Sequence, residues 1–281
     1  MGQLRIMSHN VWKCDSNRPE WEAKGEDCSA IVRAKGMVRV YTETCPDIIG
    51  CQEMSFVMAD EIIRGLAEQD QRYALLWGRD TPILYRQDRL ELLNSDFLMY
   101  PVEFPGWEGE FNNDGTKSWC IAVFRDKTDG KNLIFMTTHL WWKSSDPASA
   151  DYLAGSDEAR VYQLDMAMNR LEELQAEYNC PVILVGDLNA EYSKPVIQNA
   201  LNRGYAHAHN IATEFADEDW GYHYCFGDGY KPYVKAPFEK ALDHILVKFA
   251  PADFVRRFER YTPDYYLPLS DHSPVFADVV I

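Results

Sequence analysis

The sequence predicts a layered α/β (α+β) domain built on a mixed sheet, and three observations carry that expectation. Short apolar runs recur along the 281 residues and alternate with a few helical segments, the pattern of sheets covered by helices. Connections around Arg86 to Arg89 and Arg125 to Lys131 are too short for a crossover helix, so part of the sheet must be antiparallel and a purely parallel doubly wound fold is disfavoured. No repeat of fixed period and no low-complexity linker divides the chain, so residues 1–281 are expected to form one domain.

Taken in order, the expected strands are LRIMSHNV, DIIGCQ, YALLW, PILYR, WCIAVF, NLIFMTTH, PVILVG, HILVK and PVFADVVI. A helix is expected over Ser29 to Glu43, with Gly36 as its weak point. Val161, Leu164, Met168, Leu171 and Leu174 recur at three- and four-residue spacing, so one face of a helix from Ser156 to Tyr178 can pack on a sheet. Asp157 and Glu158 suit its N-terminus. A further helix starts at Ser193 and Pro195 and stops before Gly204.

Composition excludes several function classes. Lys and Arg number 28 against 44 Asp and Glu, a net charge of −16, which disfavours binding to bare nucleic-acid backbone or anionic membrane by bulk charge. A bound divalent cation would still supply positive charge locally. The 7 cysteines form an odd set without CxxC spacing, against a disulfide scaffold or a zinc finger. No apolar stretch approaches the roughly 18 residues of a membrane span, no signal-peptide pattern opens the chain, and no protein partner is indicated, so a cytoplasmic protein is expected. GxxxxGK[ST] and GxSxG are both absent, against a P-loop motor or a serine hydrolase of the elbow type.

The informative residues bound the apolar runs. Asn10 closes the first, Glu53 follows DIIGCQ, His139 follows NLIFMTT, and Asp187 and Asn189 follow PVILVG. Asp243 and His244 precede ILVK, while Ser270, Asp271 and His272 precede PVFADVV. If the latter strands run antiparallel to the former, all of these residues arrive at one sheet edge. Carboxylates, amides and imidazoles gathered there suit metal-dependent phosphoryl chemistry, which needs hard oxygen ligands, a base for water and donors for phosphate oxygens.

On SHNVW, DIIGCQEM, PILYR, TTHLWW, VILVGDLNAE, ALDHILV and PLSDHSPV, in that order, the chain resembles the endonuclease/exonuclease/phosphatase superfamily. The resemblance implies a four-layer sandwich, two mixed β-sheets face to face with helices outside, and a Mg²⁺-dependent phosphoesterase in which Mn²⁺ can substitute. It also implies roles. Glu53 is a metal ligand assisted by Asn10 and Asp271; Asp187 orients or deprotonates the attacking water; Asn189, His139 and His272 serve the phosphoryl group. Asp243 would fix the tautomer of an imidazole and favour its charged form. In some relatives the equivalent of His139 pairs with a carboxylate, for which Asp80 is the nearest candidate here.

Substrate contacts are expected from Trp141 or Trp142, His223, Lys231 and Lys235. Adjacent strand residues point to opposite faces, so at most one of the two tryptophans faces the pocket, and each is otherwise a core residue. His207 and His209 read as part of a solvated loop rather than as a zinc site. The net charge favours a small or short phosphoester over a long duplex; a Mg²⁺-dependent nuclease is the alternative, and a noncatalytic module on the same scaffold is the third reading.

Overall fold

The computed structural model describes residues 2–215, 222–224, 234–236, 238–261 and 263–281. The chain begins with β1 (Gln3–Asn10), the short α1 (Pro19–Glu22), α2 (Ala30–Thr44), β2 (Ile48–Gln52), α3 (Phe56–Ala67), β3 (Tyr73–Leu76) and β4 (Ile83–Arg86). It continues through β5 (Leu90–Met99), β6 (Ser118–Asp126), β7 (Asn132–His139), α4 (Ser156–Tyr178), β8 (Val182–Asp187) and α5 (Pro195–Asn202). The remainder holds β9 (Ala206–His207), α6 (Ala208–Ile211), β10 (Glu214–Phe215), β11 (Tyr222–Tyr224), β12 (Val234–Ala236), β13 (Asp243–Lys248), β14 (Val255–Arg260) and β15 (Val275–Val280).

These strands form two mixed sheets and a ribbon. The first sheet has 7 strands in the order β10-β14-β15-β1-β2-β4-β3, and the second has 6 in the order β5-β6-β7-β8-β13-β9. β11 pairs with β12. Parallel pairs, β1 with β2 and β7 with β8, sit among antiparallel ones. The connection at Arg125 to Lys131 is the expected antiparallel hairpin, β6 to β7. Arg86 to Arg89, by contrast, carries the chain from one sheet to the other, since β4 pairs within the first sheet and β5 within the second.

Both faces of each central strand are buried, which is why their sequences read as continuous apolar runs rather than as alternation. Leu4, Ile6 and Ile48 point inward against Phe135, Ile183, Val185 and Ile245 of the opposing sheet. Their neighbours Met7 and Ile49 point outward onto Met37, Tyr41 and Ile62 of α2 and α3. On the other side Ile134 and Leu184 meet Leu164 and Leu171 of α4 and Ile197 of α5. The result is the four-layer sandwich. Gly36 does not interrupt α2; a Cβ there would come within 2.4 Å of a Leu269 methyl, so the glycine lets the helix approach the segment before β15. No described helix is long and apolar enough to cross a membrane.

Candidate active site

Three adjacent strands of the second sheet deliver the heart of the site through their register alone. His139 ends β7 opposite Asp187, which ends β8, and Asp187 stands opposite Asp243 at the start of the antiparallel β13. Equivalent positions across neighbouring strands put side chains on the same face. His139 Nε2 lies 3.5 Å from Asp187 Oδ2 and 4.0 Å from Glu53 Oε1. The first sheet supplies the facing wall. Asn10 ends β1, and its Nδ2 donates to Glu53 Oε1 at 3.2 Å and to Asp187 Oδ2 at 3.1 Å. His272 completes the group, with Nδ1 2.8 Å from Asp243 Oδ2 and Nε2 3.8 Å from Asp187 Oδ2.

The loops that carry these groups are held in unusual conformations by local bonds. Trp12, Glu53 and Asn189 have φ of 57°, 58° and 48°, a left-handed region that non-glycine residues occupy at a cost and that concentrates at functional sites. Each is tied down: the Trp12 amide donates to Asn10 Oδ1 at 3.0 Å, Glu53 Oε2 accepts from the Lys13 amide at 3.0 Å, and the Asn189 amide donates to Asp187 Oδ1 at 2.9 Å. Ser270 fastens the last motif to the first strand, donating to the Asn10 carbonyl at 2.7 Å and accepting from the His272 amide at 3.1 Å.

Burial and mutual charge set the protonation of the group. Burial raises the Asp187 carboxyl to about 6, opposed by the His272 charge. Burial works against charging His272, but Asp243 and Asp187 overcome it and hold its pKa well above the ordinary value. Asp243 is correspondingly lowered, its own burial being outweighed by His272. His139 is pushed far down by burial and by the neighbouring Lys117 charge, so it is neutral at pH 7. The site therefore pairs a charged and a neutral imidazole with a carboxyl titrating near neutrality, a division suited to acid–base work.

Two groups of three side chains have ligand atoms within 4.8 Å of one another: Glu53, His139 and Asp187, and Asp187, Asp243 and His272. The first fits a hard divalent cation, because it brings two carboxylates together beside a further amide and leaves Asp187 without a cationic hydrogen-bond donor of its own. Asn10 turns its amide nitrogen toward those carboxylates, so holding a metal through its oxygen requires the amide to flip and release the Trp12 amide. Asp271 joins neither group of three, although burial raises its carboxyl.

Other expectations divide. Trp142 lines the same cavity of about 320 Å³ as Glu53, His139, Asp187, Asn189 and His272. Trp141 is corrected: it is fully buried against Phe111 and Ala159, its indole nitrogen donating to Ser156 Oγ at 3.3 Å, and it cannot touch a substrate. Asp80 pairs with Lys13 at 2.9 Å rather than with His139. His207 is not solvated; it is buried on β9 with Nε2 3.0 Å from His244 Nδ1. The backbones of His223 and Lys235 lie opposite each other in the β11–β12 ribbon, and Lys231 lies outside the described residues.

Sequence reasoning missed Lys117. It is 4% exposed, lines the cavity, and places Nζ 3.0 Å from His139 Nε2. Its signal was available: Lys117 directly precedes β6, whose first residue Ser118 pairs in register with His139. A lysine before a strand is ordinarily an exposed charge, so it stands out less than the acids, amides and imidazoles at the other strand ends.

This fold and this gathering of carboxylates, amides and imidazoles at one sheet edge define a phosphoric ester hydrolase. The chain belongs to the Endonuclease/Exonuclease/phosphatase family, whose model matches residues 7–272. A Bacteroides thetaiotaomicron protein of that family shares the fold with a TM-score of 0.74 at 19% identity, over 100% of this chain and 98% of that one. The B. thetaiotaomicron mannosyl-6-phosphatase also has a TM-score of 0.74, at 18% identity over 99% and 100% of the two chains. D. rerio TDP2, in complex with a single-strand DNA product, has a TM-score of 0.65 at 18% identity over 100% of each chain. No curated protein sequence matches the chain.

Proposed function

We propose that the protein is a Mg²⁺- or Mn²⁺-dependent phosphoesterase acting on a small or short phosphoester. The observation that carries the reading is the environment of Asp187 Oδ2, approached by Asn10 Nδ2 at 3.1 Å, His139 Nε2 at 3.5 Å and His272 Nε2 at 3.8 Å. A buried carboxyl held near pH 6 beside neutral and charged imidazoles is equipped to take a proton from water and orient it for in-line attack. His272 donates to a phosphoryl oxygen, its charge maintained by Asp243. Asn189 can offer its second amide hydrogen, the first being given to the Leu140 carbonyl at 3.0 Å. His139, neutral, serves the phosphoryl or leaving oxygen.

Glu53, with Asn10 after its amide flip and Asp271 as a supporting carboxylate, would hold the metal beside Asp187. Bound there, it supplies Lewis-acid polarisation of a phosphoryl oxygen. A second cavity of about 370 Å³ shares Trp142 and Asn189 with the first and is lined by Ser144, Ser145, Asp146 and Lys194, which gives a polar leaving group a place beside the exposed Trp142 ring.

The test is a panel of sugar phosphates, phospholipid head-group esters and single- and double-stranded nucleic acids, assayed before and after chelation and after return of Mg²⁺ or Mn²⁺, with Asp187→Asn as the blank. Metal-dependent turnover of a small ester is the expected result. Full activity in metal-free protein would remove the mechanism, and efficient cleavage of long duplex DNA would promote the nuclease reading.

A further inference from the structure

Lys117 is a buried ammonium with no carboxylate hydrogen-bonded to it among the described residues. The residue is 4% exposed, and among the described residues its Nζ has one hydrogen-bonding neighbour, His139, at 3.0 Å from Nε2 and 3.4 Å from Nδ1. Other buried cations in the fold are satisfied differently. Arg33 donates to main-chain carbonyls including those of Cys28, Val11 and Leu269, and Arg160 meets Asp157. Lys13, which lines the same cavity but is exposed, meets Asp80. Burial works against the charged form of Lys117, and Glu53, Asp114, Asp187 and Asp80 favour it only across space, without a hydrogen bond, so the ammonium at the cavity wall keeps its hydrogens for an anion there.

The position is built rather than incidental. The Lys117 amide donates to Asn112 Oδ1 at 2.8 Å, and its carbonyl accepts from Asn112 Nδ2 at 2.9 Å and from the Tyr100 amide at 3.0 Å. Asn112 is itself 2% exposed and also donates to the Tyr100 carbonyl at 2.7 Å. The lysine is thus fixed at the entrance to β6, where the next residue pairs with His139. Its ammonium is aimed at the space that Glu53, His139, Asp187 and His272 enclose.

We propose that Lys117 is a specificity-determining anion-binding residue that selects a terminal phosphoryl group over an internal phosphodiester. The proposal rests on the phosphoesterase reading and deepens it. A phosphomonoester has three nonbridging oxygens and is a dianion above pH of about 6, whereas a diester has two and carries one charge. His272 and Asn189 already offer donors for two oxygens. A further ammonium gives the third oxygen a charge-assisted partner and adds more attraction for a dianion than for a monoanion. A lysine suits this task because it is a compact point charge that needs no bidentate geometry.

The experiment compares the wild-type chain with Lys117→Met and Lys117→Arg at pH 7.5 in saturating Mg²⁺ or Mn²⁺, on 4-nitrophenyl phosphate and bis(4-nitrophenyl) phosphate. The ratio of kcat/KM for monoester over diester should fall at least tenfold in Lys117→Met and recover in large part in Lys117→Arg. Inorganic phosphate, without turnover, should raise the thermal midpoint of the wild type and of Lys117→Arg but not of Lys117→Met. In phosphate-free buffer Lys117→Met should melt no lower than the wild type, because methionine fills the same space without a buried charge; Lys117→Gln carries the same comparison if it does not fold. Equal losses on both esters, or phosphate protection that survives removal of the charge, would overturn the proposal. If the wild type hydrolyses neither ester nor any member of the wider panel, the phosphoesterase reading fails, while phosphate protection still decides whether Lys117 binds an anion.

Discussion

At the scale of single residues, the roles proposed for Asp187 and His272 would come at some expense to the fold. Asp187 is a buried carboxyl raised to about 6, so Asp187→Asn removes a poorly solvated charge while abolishing turnover. The expected pair of readings is a rate reduced to background and a thermal midpoint unchanged or higher, the usual trade between stability and function. His272→Ala should likewise lose turnover with little loss of folded protein. If activity in either variant merely followed the folded fraction, the residues would be structural. Asp243→Asn takes the counterion from His272, whose Nδ1 it holds at 2.8 Å. A fall in kcat of roughly 10- to 100-fold with KM little changed is expected, the scale for a group that orients a reacting one, and it should exceed the effect of Lys231→Ala or Lys235→Ala.

Among the elements, β7, β8 and β13 decide whether the site exists, because their register alone sets His139, Asp187 and Asp243 in a row. Gly186 guards that register. A Cβ on it would stand 2.0 Å from the Thr138 carbonyl oxygen of the adjacent strand, and neither backbone can yield without moving a site residue. Gly186→Ala should therefore cost about 2 kcal/mol or more in denaturant unfolding and reduce kcat in the folded fraction; a neutral result would show the strands free to shift. Element prediction from sequence succeeded where local signals were strong. The expected helix from Ser156 to Tyr178 and α4 coincide, and the proline expected near a helix start is the first residue of α5. It missed β5, where a register shift between Leu92 and Asn94 breaks the two-residue period, and β14, whose VRRFER sequence is rich in charge. It also missed α3, which leaves Phe56 and Val57 exposed and so blurs its apolar stripe.

For the whole molecule, two bulk properties make predictions. Burial lowers His244 to about 4, and the ring is held by the Ala190 carbonyl at 2.8 Å from Nε2 and by His207 at 3.0 Å from Nδ1. Its folded-state pKa lies below the unfolded value of about 6.5, so on acidification the unfolded chain takes a proton that the folded one refuses. The stability from keeping it neutral is complete above pH of about 6.5 and is lost progressively toward about 4. The thermal midpoint should fall across that window, and His244→Gln should flatten the fall; identical pH profiles would assign the acid sensitivity elsewhere. The net charge of −16 sets the second expectation. Between roughly 50 and 200 mM salt a duplex binder with six to ten phosphate contacts loses about a thousandfold or more in affinity, whereas kcat/KM for the preferred small ester should change only modestly at fixed free Mg²⁺.

The sequence by itself determined the layered α/β class and the side-chain types gathered at the sheet edge, because apolar periodicity and side-chain type are local properties. Asn10, Glu53, His139, Asp187, Asp243 and His272 could each be picked out as polar residues bounding apolar runs. Only the tertiary structure decided which neighbours those residues have. Trp141 and Trp142 are adjacent and alike, yet one is buried beside α4 and the other borders the cavity. Asp80 faces Lys13 instead of His139, and His207 turns inward to His244. Lys117, read alone, is an ordinary charged residue ahead of a strand. It becomes a buried cation over His139 because the β6–β7 pairing carries it there, and a pairing between distant segments leaves no mark on the residues one at a time.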